Sequence, residues 1–173
     1  MNRNNSIKTA FAGFILLICG CAALRADDNT AIVAEVLDAG TLRVEYNDRE
    51  ETLRLIGIDV PEKNPDSDNS KEGREGEDAE ADRKKAMDFV QSIVYPGYKI
   101  QLEFDFEQRD RHDRLLAYAY LPDNTMLNYA VILQGYSIPL IEPPNVKYAG
   151  LFKRAYDDAV TRKRGLWKDP VNQ

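Results

Sequence analysis

Cysteine and histidine are nearly absent from this sequence of 173 residues, which contains two cysteines and one histidine. Both cysteines lie at positions 19 and 21, so the rest of the chain has no thiol for a disulfide bond, a zinc site or a nucleophile. The single histidine, His112, excludes a metal site rich in histidine, and any Ser-His-Asp or Cys-His arrangement would depend on it. We predict that His112 lies in an exposed turn and has no catalytic role.

The sequence also lacks an excess of positive charge, since its formal net charge is -6 at pH 7. The field of such a chain does not steer it towards a polyanion, so binding of nucleic acid would need a local concentration of cations. The cluster Arg162–Arg164 near the C-terminus suits a helix end, where cations complement the helix dipole, better than a nucleic-acid contact.

The apolar run Ala10–Gly20 is too short to cross a bilayer as a helix, and it follows two cations in the manner of an export signal. The letters ICGC at its end resemble a lipoprotein signal. We therefore predict a signal peptide over residues 1–20 with acylation of Cys21, and the alternative is cleavage after Ala26. The protein would be exported, either as a lipoprotein anchored to the membrane in the periplasm or at the cell surface, or in secreted form.

A linker over residues 21–30 precedes a predicted domain over residues 31–170. Alternating apolar residues predict five strands in the domain, namely Ala31–Leu37, Leu42–Tyr46, Thr52–Ile58, Ile100–Phe106 and Arg114–Leu121. The 3.6-residue period predicts three helices, which end before Pro96, cover Met126–Gln134 and follow Asn145 as a candidate N-cap. Five short strands with a helix after the third favour an α+β fold, a five-stranded OB-fold β-barrel with three α-helices.

Four charged residues near strand ends could form a site for phosphodiester hydrolysis: Arg54, Asp59, Glu62 and Arg114. Arginine binds the charged phosphorus oxygens through two parallel hydrogen bonds, one carboxylate can take a proton from water, and another can hold a hard cation such as calcium. Strict alternation puts Arg54 and Asp59 on opposite faces, so a shared site requires a bend. The alternatives are a weak surface ion pair between these two residues, a loop cap at Glu62 and an exposed strand position for Arg114.

Four segments and a basic C-terminal helix make the assignment more specific. The segments read VLDAGTLRVEY, LRLIGIDVPE, EFDFEQRDRHDRLLAYAYL and NYAVILQGYS, and the last helix ends in RGLW. Together they resemble the staphylococcal nuclease (thermonuclease) family over roughly residues 31–168. The resemblance implies an OB-type barrel with calcium-dependent nuclease activity on DNA and RNA, and products that carry 3′-phosphates.

The resemblance also implies roles for individual residues. Arg54 and Arg114 match the two phosphate-binding arginines of the family, and Glu62 matches the general base that activates water. Asp59 matches a calcium ligand, and Val60 matches a residue that offers its backbone carbonyl to the ion.

Two further positions contribute less directly. Asp38 would reach the ion through a water molecule or a shifted loop, although by itself it reads as a turn residue. Arg111 stands where the family often has a basic residue in its substrate groove.

Two departures from the family pattern limit these expectations. Gly40 replaces an aspartate that binds calcium directly, which should weaken the site because affinity follows the charge and number of ligands. The segment Leu140–Glu142 replaces tyrosines that lie near the nucleotide base. We therefore keep two hypotheses, an exported monomeric nuclease and a catalytically weakened OB-fold module that binds nucleic acid or protein.

Overall fold

The computed structural model describes residues 29–59 and 75–168. Its strands are β1 Thr30–Asp38, β2 Thr41–Tyr46, β3 Arg49–Leu55, β4 Ile58–Asp59, β5 Lys99–Glu103, β6 Leu115–Tyr120 and β7 Ile138–Pro139. Its helices are α1 Glu75–Ile93, α2 Leu127–Leu133, α3 Ala149–Thr161 and a 3-10 helix, Gly165–Lys168. Five strands close a barrel in the order β1-β2-β3-β6-β5, which confirms the predicted α+β barrel with three α-helices.

The strand pairing, part of which follows from a local turn, brings two of the predicted site residues, Arg54 and Arg114, to one region. Asn47 and Asp48 adopt φ of 54° and 61°, the left-handed conformation that a two-residue hairpin between β2 and β3 requires. The barrel closes by parallel pairing of β3 with β6, in which Arg54 lies opposite Leu116. This pairing places the end of β3 beside the loop that carries Arg114.

The core consists of the inward-facing residues of the barrel and one stripe from each helix. Val33, Leu53 and Ala117 are fully buried inside it. Helix α3 packs against the barrel through Phe152, whose ring would lie 2.4 Å from a Cβ atom on Gly57. Gly57 also has φ of +80°, so glycine is needed at this turn both for its backbone and for the close approach of α3.

The structure corrects three details of the predicted elements. The third strand ends at Leu55 instead of Ile58, because a turn at Ile56–Gly57 separates it from β4, which pairs with β7. The fourth predicted strand, Ile100–Phe106, corresponds to β5, which ends at Glu103 together with its pairing to β6. Phe106 is exposed instead of facing inward with Ile100.

The third correction concerns Asn145, which is not the N-cap of the last helix. Helix α3 begins at Ala149 with Tyr148 in the cap position. In the part of the chain that the structure describes, no helix has the length and the apolar character that a membrane crossing demands.

Candidate active site

A cleft of about 480 Å³ opens at the side of the barrel, and both Arg54 and Arg114 line it. Its three walls come from the end of β3 and the following turn, from the loop before β6, and from the segment after β7. These walls span residues 54–57, 107–116 and 140–145. The two arginines that the sequence predicted to act together thus face one space.

Arg54 is nearly buried, with 11% of its side chain exposed. Its guanidinium contacts the end of β1, the start of β2 and β4. Its Nη1 lies 3.3 Å from the Thr41 hydroxyl and 3.8 Å from Asp38 Oδ1, while Nη2 lies 3.5 Å from the Ile58 carbonyl. The turn at Ile56–Gly57 returns the chain so that the Ile58 carbonyl approaches Arg54. Asp59, the next residue, is not among the described residues that line the cleft.

Arg114 is held at the opposite wall by Asp110, a residue that the sequence analysis missed. Asp110 Oδ2 accepts a hydrogen bond of 2.6 Å from Nε of Arg114, and Oδ1 accepts the backbone N–H of His112 and of Arg114. Burial raises the pKa of the Asp110 carboxyl, but the hydrogen bonds from Arg114 and His112 outweigh burial and hold the pKa below its ordinary value. The available signal for this pair in the sequence was an aspartate four positions before an arginine, directly ahead of a strand.

Arg111 and His112 also line the cleft, and they contact each other. Nε of Arg111 donates a hydrogen bond of 3.0 Å to Nε2 of His112. His112 lies in an exposed turn, as predicted. The loop therefore contributes two arginines, Arg111 and Arg114, to the lining of the cleft.

An ion pair fixes this loop to the barrel and was not predicted either. The guanidinium of Arg109 donates to both carboxylate oxygens of Glu51 on β3, at 3.0 Å and 2.8 Å, and to the Asp113 carbonyl at 2.7 Å. Hydrogen bonding from Arg109 lowers the pKa of Glu51 against the opposing effect of burial. The pair therefore connects the loop that carries Arg111 and Arg114 to the strand that carries Arg54.

Asn145 attaches the wall of residues 140–145 to the wall of residues 107–116. Only 8% of this residue is exposed, its Oδ1 accepts the Glu107 backbone N–H at 2.8 Å, and its Nδ2 donates to the Glu107 carbonyl at 2.8 Å. Leu140 donates its backbone N–H to the Gly57 carbonyl at 3.1 Å. The cleft therefore has walls that are tied to one another through backbone and side-chain hydrogen bonds.

The metal ligands implied by the resemblance are partly represented. Among residues 29–59 and 75–168, no group of three His, Cys, Asp or Glu side chains could hold a metal ion. Asp38 and Asp59 offer carboxylate oxygens, the ligand type that calcium prefers, and Asp38 Oδ1 also accepts the Gly40 N–H at 2.7 Å. The described donors thus fit a hard cation chemically, with one carboxylate fewer than the family pattern.

Arg54 occupies the space beside Gly40. A Cβ atom on Gly40 would lie 2.7 Å from Nη1 of Arg54, so an aspartate there would have to displace the guanidinium. Val60 and Glu62 lie outside the described residues, as does Cys21, and their predicted roles stay predictions.

Comparisons with known proteins agree with the predicted family and fold. A family model described as staphylococcal nuclease homologue matches residues 52–169. A thermonuclease of Staphylococcus hyicus is 29% identical over 145 residues, which cover 83% of this chain and 79% of that protein. The SPbeta prophage-derived endonuclease YokF of Bacillus subtilis is 35% identical over 134 residues, which cover 76% of this chain and 41% of that protein. Endonuclease YncB of the same organism is 34% identical over 134 residues, which cover 76% of this chain and 58% of that protein.

Proposed function

Because the chain belongs to the staphylococcal nuclease family and is thus a hydrolase of phosphodiester bonds, we propose that it cleaves DNA and RNA in the cleft between Arg54 and Arg114. The observation that carries this proposal is the convergence of two guanidinium groups from β3 and from the loop before β6 on one space. A phosphodiester bound there would receive charged hydrogen bonds from both sides.

The proposed reaction is an attack of water on phosphorus. Glu62 takes the proton from the water molecule, the new oxygen–phosphorus bond forms, and the bond from phosphorus to the leaving oxygen breaks, with that oxygen taking up a proton from solvent. Asp110 engages Nε of Arg114, so the two terminal nitrogens of that arginine are directed to the phosphate oxygens, where Arg54 also donates. A divalent cation, with calcium as the expected ion, would be held by Asp59, Asp38 and the Val60 carbonyl and would neutralise negative charge on the phosphate.

Export is part of the proposal, and it depends on the N-terminal segment. A lipoprotein signal over residues 1–20 would leave Cys21 acylated and the enzyme attached to a membrane surface, and cleavage after Ala26 would release it. Mass spectrometry of the mature N-terminus distinguishes the two, since only the first adds acyl chains to a cysteine.

Digestion of single-stranded DNA with and without calcium tests the nuclease proposal. We expect calcium-dependent cleavage that Glu62→Gln and Arg114→Ala each reduce by about 100-fold or more, since they remove a proton acceptor and a transition-state donor. Lys84→Gln, which alters a surface ion pair with Asp88 on α1, is the matched control and should leave cleavage unchanged. Equal activity in all four proteins would refute the proposal.

A specific observation also favours the second hypothesis, a weakened module that binds nucleic acid or protein. Gly40 supplies no carboxylate, and Arg54 lies against it. Such a module would bind single-stranded DNA without cleaving it at any calcium concentration, and binding would still fall in Arg114→Ala. The digestion assay and a binding assay on the same proteins separate the two functions.

A further inference from the structure

The turn between α1 and β5 carries an exposed aromatic ring. Tyr95 is 57% exposed, and its ring contacts that of Tyr98 edge to face, with the centroids 4.8 Å apart. Between them lies Gly97, whose φ of +86° allows the chain to reverse tightly. The Tyr98 N–H donates to the Tyr95 carbonyl at 3.0 Å, so the turn holds the exposed ring against the half-buried one.

Ile32 on β1 lies beside this turn. Its neighbour Val33 donates its N–H to the Tyr98 carbonyl at 2.9 Å and accepts the Gly97 N–H at 2.7 Å. Ile32 itself is 37% exposed and pairs across the β1–β5 ladder with Lys99, which is also exposed. Paired residues of an antiparallel ladder project to the same face, so both side chains point outward.

We call Ile32, Tyr95 and Tyr98 the turn patch, and it lies away from the cleft. Ile32 and Asp38 are six residues apart on β1, which corresponds to about 20 Å along a strand. Asp38 Oδ1 lies 3.8 Å from Nη1 of Arg54, which lines the cleft. A large ligand could therefore cover the turn patch and leave the cleft open.

Strand β1 begins next to the turn patch, so the preceding chain limits what the patch can meet. Thr30 pairs with Gln101, two positions before Ile32 pairs with the next outward residue of β5. Cys21, the residue that we propose to be acylated, precedes Thr30 by nine positions. Nine residues span at most about 32 Å. A membrane that holds Cys21 therefore stays within that distance of the turn patch's strand.

We propose that the turn patch lies against the lipid surface when the chain is anchored at Cys21, an inference that rests on the anchoring in the proposed function. Tyrosine suits this position because its ring is apolar and its hydroxyl can stay in water, and tyrosines are enriched where membranes meet water. Three side chains form a small surface, and the short tether compensates by raising the local concentration of lipid. This contact would leave the cleft accessible to substrate.

Charge favours the turn patch over the other strongly exposed ring. Phe106 is 81% exposed, but it lies between Asp105 and Glu107, and Glu107 lines the cleft. Carboxylates there would be repelled by an anionic leaflet, and a membrane would lie against the edge of the cleft.

The charged neighbours of the turn patch are balanced. Ile32 pairs with Lys99 on one side and with Glu45 on the other, and both are exposed. The ammonium of Lys99 can extend to a lipid phosphate while its stem lies along the apolar surface. A second copy of the chain fits less well, since three side chains cannot provide the roughly 800 Å² per partner that a stable dimer buries.

Quenching of fluorescence by lipid tests the contact without requiring native acylation. In the chain 21–173, which contains every described residue, Cys21 is the one cysteine and couples to a maleimide lipid in vesicles of brominated phosphatidylcholine. The parent, whose sole tryptophan is Trp167, gives the background. We expect the tryptophan added in Tyr95→Trp to lose about half of its emission, because bromines on the acyl chains lie close to the headgroup boundary. Phe106→Trp is the matched control and should lose little emission.

A second reporter tests the role of Tyr95 itself. Ile32→Trp should also be quenched, and the addition of Tyr95→Ser should reduce that quenching by about twofold, because the aromatic ring that favours the interface is gone. Circular dichroism of each variant confirms that the barrel is folded.

Two further measurements separate failure of this surface from failure of the proposed function. Hydrolysis of bis(p-nitrophenyl) phosphate reports the nuclease activity, and mass spectrometry of the mature N-terminus reports native acylation. Either can fail while quenching on the maleimide tether still decides the turn patch. Equal quenching in Phe106→Trp and Tyr95→Trp, no quenching in either turn-patch reporter, no effect of Tyr95→Ser, or a parent dimer that Tyr95→Ser converts to monomer would overturn the proposal.

Discussion

At the scale of single residues, Asp110 shows how a carboxylate can support a cationic site. It removes one positive charge from the cleft by pairing with Arg114, yet its bond to Nε orients the terminal nitrogens of that guanidinium. The orientation of Arg114 therefore favours contact with the substrate, while the negative charge of Asp110 opposes binding of an anionic substrate. A substitution that removes the carboxylate separates them, because kcat depends on the orientation and KM on the charge.

Asp110→Asn should lower kcat by about 10- to 100-fold and leave KM equal or lower. The amide cannot hold Arg114 with the same charged hydrogen bonds, and a small displacement of a catalytic donor is costly. Steady-state kinetics on single-stranded DNA measures both constants. Asp157→Asn on the surface of α3 is the matched control and should change neither constant. A rise in KM with constant kcat would contradict the assigned role.

Asp110 also predicts how stability depends on pH. Its pKa in the folded protein is lower than the ordinary value of 3.8, so its stabilising contribution is fully present above pH 3.8 and disappears as the pH falls through the lowered pKa. Urea unfolding should show the wild type more stable than Asp110→Asn by about 1–2 kcal/mol at pH 7. The difference should shrink as the pH falls below 3.8 and through the lowered pKa. A difference that does not change with pH would mean that the carboxylate charge is not its source.

A substitution at Gly40 tests the calcium dependence that the proposed nuclease function includes. In Gly40→Asp the new Cβ meets Nη1 of Arg54, the far end of a flexible side chain, so the guanidinium can move and a carboxylate is added near Asp38. If the metal site is merely weakened, the calcium concentration for half-maximal activity should fall by about tenfold, because one more charged ligand is present. Calcium titration by calorimetry should show tighter binding in the same variant.

The control for Gly40 separates sterics from charge. Gly40→Ala adds the same Cβ against Arg54 without a carboxylate, so it should keep or raise the calcium requirement. An equal gain in both variants would show that displacement of Arg54, and not the added ligand, accounts for the change.

At the scale of elements, hydrogen bonds and an ion pair connect the three walls of the cleft. Asn145→Ala should reduce the free energy of unfolding by about 1–3 kcal/mol, since it leaves the Glu107 N–H and carbonyl without their partner. KM should rise because the wall 140–145 loses its attachment to Glu107 and keeps only the bond from Leu140 to the Gly57 carbonyl among those described above. Urea unfolding and steady-state kinetics measure the two effects.

Asn145→Asp provides the graded comparison. It keeps the oxygen that accepts the Glu107 N–H and loses the donor to the Glu107 carbonyl, so both effects should be about half as large. A variant as damaged as the alanine would indicate that the negative charge, and not the lost hydrogen bond, disturbs this wall.

The elements with regular periodicity could be predicted from sequence, and the elements at the site only in part. Leu42 and Val44 alternate along a strand that pairs on both sides, so the pattern and the structure agree. Phe106 continues the alternation of β5 past the end of the pairing between β5 and β6, where tertiary contacts determine its orientation. The pairing of Arg109 with Glu51 joins residues 58 positions apart, and no local pattern encodes it.

Charge type and strand position singled out the four charged residues of the candidate site but left several alternatives open, and the resemblance supplied their individual roles. Arg54 and Arg114 proved to share a cleft, which alternation alone did not indicate. Asp110 was missed because an aspartate in a turn has an ordinary role in many loops.

At the scale of the whole molecule, an acidic protein that binds a polyanion must do so through individual cations and not through its overall field. The net charge is -6, and in the described residues three arginines, at positions 54, 111 and 114, line the cleft together with Glu107, Asp110 and Glu142. Arg162 and Arg164, by contrast, pair with Asp158 at the end of α3. Binding should therefore be governed by few phosphate contacts, with little contribution from the C-terminal basic cluster.

The salt dependence of binding measures that number of contacts. Three phosphate contacts predict a slope of about -2 for log K against log salt on single-stranded DNA, because each contact releases counterions in proportion. Arg111→Gln should reduce the slope by about 0.7, while Arg162→Gln should leave it unchanged. Anisotropy titrations at several salt concentrations give the slopes. A slope near -5, or a loss of slope in Arg162→Gln equal to that in Arg111→Gln, would place the phosphate contacts outside the cleft.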